Sequence, residues 1–240
     1  MADRPALVIS PHFDDAVLSC GAWLERHPVA VVATVCSGLP GPGVAAQPWD
    51  ADAGFGSADE AVTARRVEDE RALAVVGARQ YLLGFLDGSY KPWTGRVHQD
   101  PGIHGPFGES LAVAIGDLVD ELAPERCLAP LGLHHPDHLV VAEAARSALT
   151  DRAGCHFEVY ADLPYAVTHA PERAVETAVT RLEAEGWAVT PVPTSPDERV
   201  DAKVAAVACY SSQLALLAGE HPNWRESLLP GAERRWRVSR

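Results

Sequence analysis

The sequence predicts an α/β domain in which a mostly parallel sheet lies between two layers of helices. Two observations carry this. Short β-rich runs alternate with helical patterns along the whole chain, as a series of βαβ units requires. No internal repeat and no low-complexity linker interrupts the alternation, and 240 residues suit one well-buried domain. A single domain over 1–240, Rossmann-like in its three layers, is the economical expectation.

The elements follow in order. Ala6-Leu7-Val8-Ile9-Ser10 is an apolar run of strand length and reads as a buried first strand. Further β-rich runs cover 29–36, 80–85, 126–131, 156–161 and 187–192. Helical patterns fall at 15–27, 57–76, 109–122, 136–151, 171–185 and 196–218. Two segments are too long for simple connectors: 38–56, with Trp49 and Phe55, and 86–108, with Tyr90, Trp93, His98, His104 and Phe107. Loops of this length in a compact domain are lids, binding loops or disordered segments. Their aromatics suit either stacking on sugar rings or packing the loop onto the body.

Composition narrows the partners. The chain carries 33 Asp+Glu against 20 Lys+Arg, a formal charge of -13. Such a field repels nucleic-acid backbones and anionic lipid surfaces and tolerates a neutral or cationic small molecule. The N-terminal residues lack a basic start followed by an apolar stretch, and no segment reaches the roughly 18–20 apolar residues that span a bilayer. Cys20, Cys36, Cys127, Cys155 and Cys209 are odd in number and without zinc-ribbon or redox spacing. Buried free thiols in a reducing cytoplasm are expected.

The chemistry concentrates at two predicted strand ends. His12-Phe13-Asp14-Asp15 follows the first strand, and His134-His135-Pro136-Asp137-His138 follows Cys127-Leu128-Ala129-Pro130-Leu131. In open α/β sheets ligands bind outside the carboxyl ends of the strands. A catalytic zinc takes three protein ligands and leaves one position for water. His12 and Asp15, one turn apart, can face one ion, and His138 can supply the third ligand. Asp14 is then placed as general base toward a bound water. His135 can donate to a developing oxyanion. Asp137 either fixes the tautomer of an imidazole or caps the helix start. A glycine-rich dinucleotide turn is absent, and two carboxylates there would repel a pyrophosphate.

These residues resemble the PIG-L/LmbE-like zinc-dependent N-deacetylase family, marked by a strand followed by HPDD and a later HPDH. Here they read His12-Phe13-Asp14-Asp15 and His135-Pro136-Asp137-His138. The resemblance extends through Arg65-x-x-Glu68, the strand ending in Asp87-Gly88, Tyr160-Ala161-Asp162-Leu163-Pro164-Tyr165, and Lys203 with Tyr210-Ser211-Ser212-Gln213. It implies the LmbE-like fold and one Zn2+ per chain, Fe2+ being another divalent ion the site could take. The metal would sit on His12, Asp15 and His138, with Asp14 as base and His135 steadying the oxyanion. The implied reaction removes an acetyl group from an N-acetylated amino sugar or glycoside. Alternatives are an amidase for a thiol-sugar conjugate or bulky natural-product scaffold, and a non-catalytic metal- or sugar-binding protein, against which the intact Asp14 argues.

Substrate contacts are sought at Arg65, Asp87, Tyr90 and Trp93. Arg65 and Glu68 share a core-facing side of their helix, so an ion pair between them is expected, with a site-lining pair as the alternative. Asp87 has a turn reading of equal weight. Tyr210 belongs to an apolar stripe with Lys203, Val207, Leu214 and Leu217 and reads as core, while Ser212 and Gln213 suit hydrogen bonds that fix a loop. Phe13 replaces the family's usual proline, Ala16 a frequent glutamate, and Leu133 a tyrosine that polarises the amide in some members. Oligomeric state is left open, a homo-oligomer included.

Overall fold

The computed structural model describes residues 4–91, 106–150, 152, 154–168, 171–194 and 199–240. Trp93, His98 and His104 lie outside them. In chain order the main elements are β1 (Ala6–Ser10), α1 (Asp15–Glu25), β2 (Val31–Cys36), α2 (Pro48–Asp52), α3 (Ala58–Val75), β3 (Arg79–Phe85), α4 (Pro106–Leu122), β4 (Arg126–Pro130), α5 (Pro136–Leu149), β5 (His156–Tyr160), α6 (Pro171–Ala184), β6 (Ala188–Val192), α7 (Asp201–Val207), α8 (Ser211–Glu220) and β7 (Arg235–Ser239).

One sheet holds the seven strands of the described residues in the order β3-β2-β1-β4-β5-β7-β6. The neighbours from β3 to β5 are parallel, and β7 runs antiparallel to β5 and β6. Strand order reverses between β1 and β4, the switch point at which such sheets bind ligands. The sequence places its two His/Asp clusters after these two strands. β1, β2 and β4 are almost wholly buried, whereas edge strands β3 and β6 are half open. That is the burial expected of strands covered by helices on both faces. Helices α1 and α3 each pack on α7, and α4 packs on α5.

Three elements depart from expectation. β7 is not predicted, because Arg235 and Arg237 break its apolar run. Arg235 is buried against Glu158 at 2.7 Å, and Arg126 meets the same carboxylate at 2.7 Å. The predicted helix over 196–218 is two helices, α7 and α8, crossing at 97°. The break serves Glu68, whose carboxylate accepts from Ser211 Oγ, Ser212 N and Ser212 Oγ at 2.7–2.9 Å and so satisfies the exposed donors of the α8 start. Glu68 therefore does not pair with Arg65. The third is α2, a short helix inside the long 38–56 segment. Of the cysteines, Cys20, Cys36 and Cys127 are buried as expected, but Cys155 and Cys209 are partly exposed. No single helix among the described residues is long and apolar enough to cross a membrane.

The stripe residue Lys203 is fully buried, and its ammonium lies 3.0 Å from Glu233 Oε1. Glu233 also accepts from the α1 amides of Ala22 and Trp23. Gly21 lets the two helices meet, since a Cβ there would stand 2.7 Å from Lys203 Cγ. Lys203→Met leaves the Glu233 charge buried without its cation. It is expected to cost about 3 kcal/mol, read as a lowered urea midpoint with unchanged slope.

Candidate active site

The β1–α1 turn is tied from within. Ser10 Oγ donates to the His12 carbonyl at 2.6 Å and accepts from Ala16 N at 3.0 Å. Asp15 Oδ2 accepts from His12 N at 2.8 Å. The same oxygen is 3.1 Å from His12 Nδ1 and 3.1 Å from His138 Nε2. One carboxylate oxygen thus draws together two imidazoles that stand on neighbouring strand ends.

The far nitrogens of both rings are also held. His12 Nε2 lies 3.3 Å from Asp137 Oδ2, and His138 Nδ1 lies 2.7 Å from Asp162 Oδ1. Asp162 follows β5 and uses its other oxygen to accept from Gly132 N, in the β4–α5 turn. Asp137 does not take the cap, one of its two readings, and instead faces the His12 ring. The cap falls to His135, whose Nδ1 accepts from Asp137 N at 3.2 Å. An imidazole that accepts at Nδ1 carries its proton on Nε2.

The electrostatics fit a cation. Burial works against charge on His138, yet Asp15 and Asp162 raise it to about 9. His12 is half-buried, and against the cost of that burial Cys36, Asp137 and Asp15 hold it well above its ordinary value. Burial opposes the Asp15 carboxylate as well, but His138 and His12 keep it far below the usual range. Without a cation, protons gather on the two rings to balance the carboxylates. The two spacings that meet at Asp15 Oδ2, 3.1 Å each, are close to the roughly 3.3 Å edge of a tetrahedron with bonds of about 2.0 Å. Two imidazoles around one carboxylate oxygen are donors of the type a divalent metal takes; among the described residues, the groups whose ligand atoms all lie within 4.8 Å of one another are His12, His135 and His138, and His12, Cys36 and Asp137.

Asp14 is half-buried beside this cluster, and burial, then Asp15, raise it to about 6. Burial, then His12 and His138, lower His135 to about 4, so it is neutral near pH 7. A cavity of 330 Å³ opens over these groups, lined also by Trp49, Asp50, Arg65, Asp87, Tyr90 and Tyr165. Its size is at the small end of the range for small-molecule sites, roughly 300–1,000 Å³.

Arg65 pairs with Asp50 at 2.7 Å, not with Glu68, and Tyr90 Oη donates to the same Asp50 carboxylate. Arg65 and Tyr90 thereby pin α2 over the cavity, and Trp49 Nε1 donates to Gln213 Oε1 at 2.9 Å. Asp87 takes its turn reading, Oδ1 accepting from Ser89 N, while Oδ2 lies 3.5 Å from His12 Nε2. Trp93 lies outside the described residues. Sequence reasoning missed Asp162 and Asp50. Asp162 follows a third parallel strand end, the same signal that marked the other two clusters. Asp50 carries no comparable signal.

Tyr210 is core by burial but wall by position. Its hydroxyl is 2.7 Å from Asp69 Oδ1 and 3.0 Å from the Phe13 carbonyl. One hydroxyl proton serves one acceptor at a time, so Tyr210 donates to Asp69 where that carboxyl is ionised and to the Phe13 carbonyl where it is protonated. Burial raises Asp69 to about 7. The backbone just before Asp14 is anchored through this pair.

Comparison with known proteins agrees with this geometry. The family model described as GlcNAc-PI de-N-acetylase (PIG-L) matches residues 7–149. The chain belongs to the PIG-L family. It is similar to the 2'-N-acetylparomamine deacetylase of Streptomyces fradiae, at 30% identity over 96% of this chain and 80% of that protein. It is also similar to a zinc-inhibited form of the teicoplanin deacetylase Orf2, at 27% identity and TM-score 0.75, and to a deacetylase–teicoplanin complex, at 27% and 0.72; each covers 98% of both chains. As a PIG-L family member the chain is an enzyme, an N-deacetylase.

Two outcomes follow. Asp162→Asn removes the carboxylate behind His138 and should weaken metal binding about 10–100-fold, measured by competition with a chelating dye. Asp69 titrates near 3.9 when unfolded and about 7 when folded. Its neutral form therefore favours folding at low pH, and that contribution is lost as pH rises from about 4 through 7. Asp69→Asn, neutral throughout, should flatten the fall in urea stability across that window.

Proposed function

We propose that this chain hydrolyses the acetamide of an N-acetylated amino sugar carried on a larger, non-anionic glycoside. The observation that carries the reading is the sharing of Asp15 Oδ2 by His12 Nδ1 and His138 Nε2, each ring backed by its own carboxylate. His12, Asp15 and His138 would hold one divalent ion, zinc by preference for this donor set, with Fe2+ the alternative. Such an ion lowers the pKa of a bound water to about 7 and polarises a carbonyl oxygen.

The chain's own groups supply the rest. Asp14, ionised near pH 7, receives the proton of the attacking water and returns it to the departing amine. His135, neutral and protonated at Nε2, directs an N–H toward the cavity for the oxyanion of the tetrahedral intermediate. Leu133, in place of a polarising tyrosine, leaves that task to His135. Asp137 and Asp162 hold the ligand rings in their tautomers. Arg65, Asp50 and Tyr90 shape the wall where a sugar would lie.

Charge supports the substrate class. Asp14, Asp15, Asp50 and Asp87 line the cavity against one arginine, in a chain of formal charge -13. This field disfavours a phosphoinositide glycolipid and favours a glycoside with free amines. The relatives that act on paromamine and teicoplanin derivatives point the same way, toward natural-product glycosides. One sheet carrying the seven strands of the described residues supports a single domain.

The test is amine release by the metal-loaded chain from N-acetylated aminoglycoside pseudodisaccharides, beside N-acetylglucosaminyl phosphoinositol. Preference for the cationic glycosides is expected, and preference for the phosphoinositol compound would refute the substrate class. Asp14→Asn should bind metal like the parent and lose about 10²–10⁴-fold in kcat. Full turnover in that variant would remove Asp14 from the role of base.

A further inference from the structure

The side of His12 turned away from Asp15 carries a second donor set. His12 Nε2 lies 3.3 Å from Asp137 Oδ2, and Cys36 Sγ lies 3.7 Å from the same oxygen. These three atoms, one nitrogen, one oxygen and one sulfur, fall within 4.8 Å of one another. A tetrahedral zinc with bonds of about 2.0 Å to N or O and about 2.3 Å to S separates its N and O donors by roughly 3.3 Å and its S and O donors by roughly 3.5 Å. The two edges that meet at Asp137 Oδ2 match with no more than small side-chain adjustment. Asp87 Oδ2, 3.5 Å from His12 Nε2, borders the group.

The arrangement is crowded if only hydrogen bonds are counted. Asp137 Oδ2 accepts from Gly88 N at 2.9 Å and also faces the His12 N–H and the Cys36 S–H. An ion replacing those two protons would turn the crowding into coordination. The thiol faces the cavity, so the set is reachable from it.

We propose that His12 Nε2, Cys36 and Asp137 form a second, thiolate-containing metal seat, and that filling it inhibits the enzyme. The proposal rests on the reading that His12 serves the catalytic ion through Nδ1. On binding, the thiol proton and the His12 Nε2 proton leave to solvent. Loading Nε2 ends the contact with Asp137 that orients the ring for the catalytic side. A thiolate selects zinc, cobalt or cadmium over magnesium and calcium, which take oxygen donors. Inhibition is therefore a property of excess thiophilic ion and absent with magnesium.

The test titrates the full chelator-treated chain with cobalt(II) and follows its absorption. A near-ultraviolet thiolate-to-cobalt charge-transfer band is expected only as a second equivalent binds. Cys36→Ser should take up the first equivalent and lack the band. In parallel, excess zinc should depress the parent's amine release at a concentration at least tenfold below that needed for Cys36→Ser, each compared with its own one-equivalent rate. Absence of the band in the parent at excess cobalt overturns the seat, as does a band that survives in Cys36→Ser. Equal zinc sensitivity of the two proteins overturns the inhibition. The parent's band is read without catalysis, so a failed deacetylation assay leaves this result standing on its own.

Discussion

The site hangs on one carboxylate oxygen. Asp15 Oδ2 accepts the backbone N–H of His12 and lies 3.1 Å from a nitrogen of each of two imidazoles. A buried anion in that position is tolerable only when paired and hydrogen-bonded. Everything around it meets that condition. The Ser10 bridge tightens the β1–α1 turn, the parallel pairing of β1 with β4 brings His138 across, and Asp137 and Asp162 lock the rings from behind. The fold delivers the two rings and the carboxylate, and the electrostatics favour a cation between them.

A second ring of interactions sets the shape of the cavity rather than its charge. Asp50 gathers Arg65 and Tyr90, Gln213 takes Trp49, and Glu68 stops α8 where it begins. Each ties a long segment to a rigid helix. These ties keep the 38–56 segment over the site, with α2 as its fixed point. The helix break at α7–α8 belongs to the same logic, since it turns Tyr210 toward the Phe13 carbonyl and Asp69. Asp14 therefore stands on a backbone held by a buried hydroxyl.

The catalytic end of the sheet was legible in the sequence because strand ends announce themselves. An apolar run followed by His and Asp placed His12, Asp14, Asp15, His135 and His138 at the switch point, with β1 found at its exact bounds. What escaped was any contact that depends on a distant partner. Arg65 shares a helical face with Glu68, so periodicity paired them, but Asp50 offered a shorter bond and Glu68 a better use at the α8 start. β7 hid because Arg235 counts as polar until Glu158 is known to meet it. Asp137 at a helix start has the position of a cap in the sequence, and only the folded chain shows His135 Nδ1 in that place.

Metal stoichiometry against turnover tests the central claim most directly. Protein stripped by a chelator and titrated with zinc should gain amine release from an N-acetylated glycoside in proportion to bound metal, reaching its maximum at one equivalent. His138→Ala should show no such rise at the same concentrations. Amine release that persists in the stripped chain, or a rise that is the same with and without His138, would contradict the account.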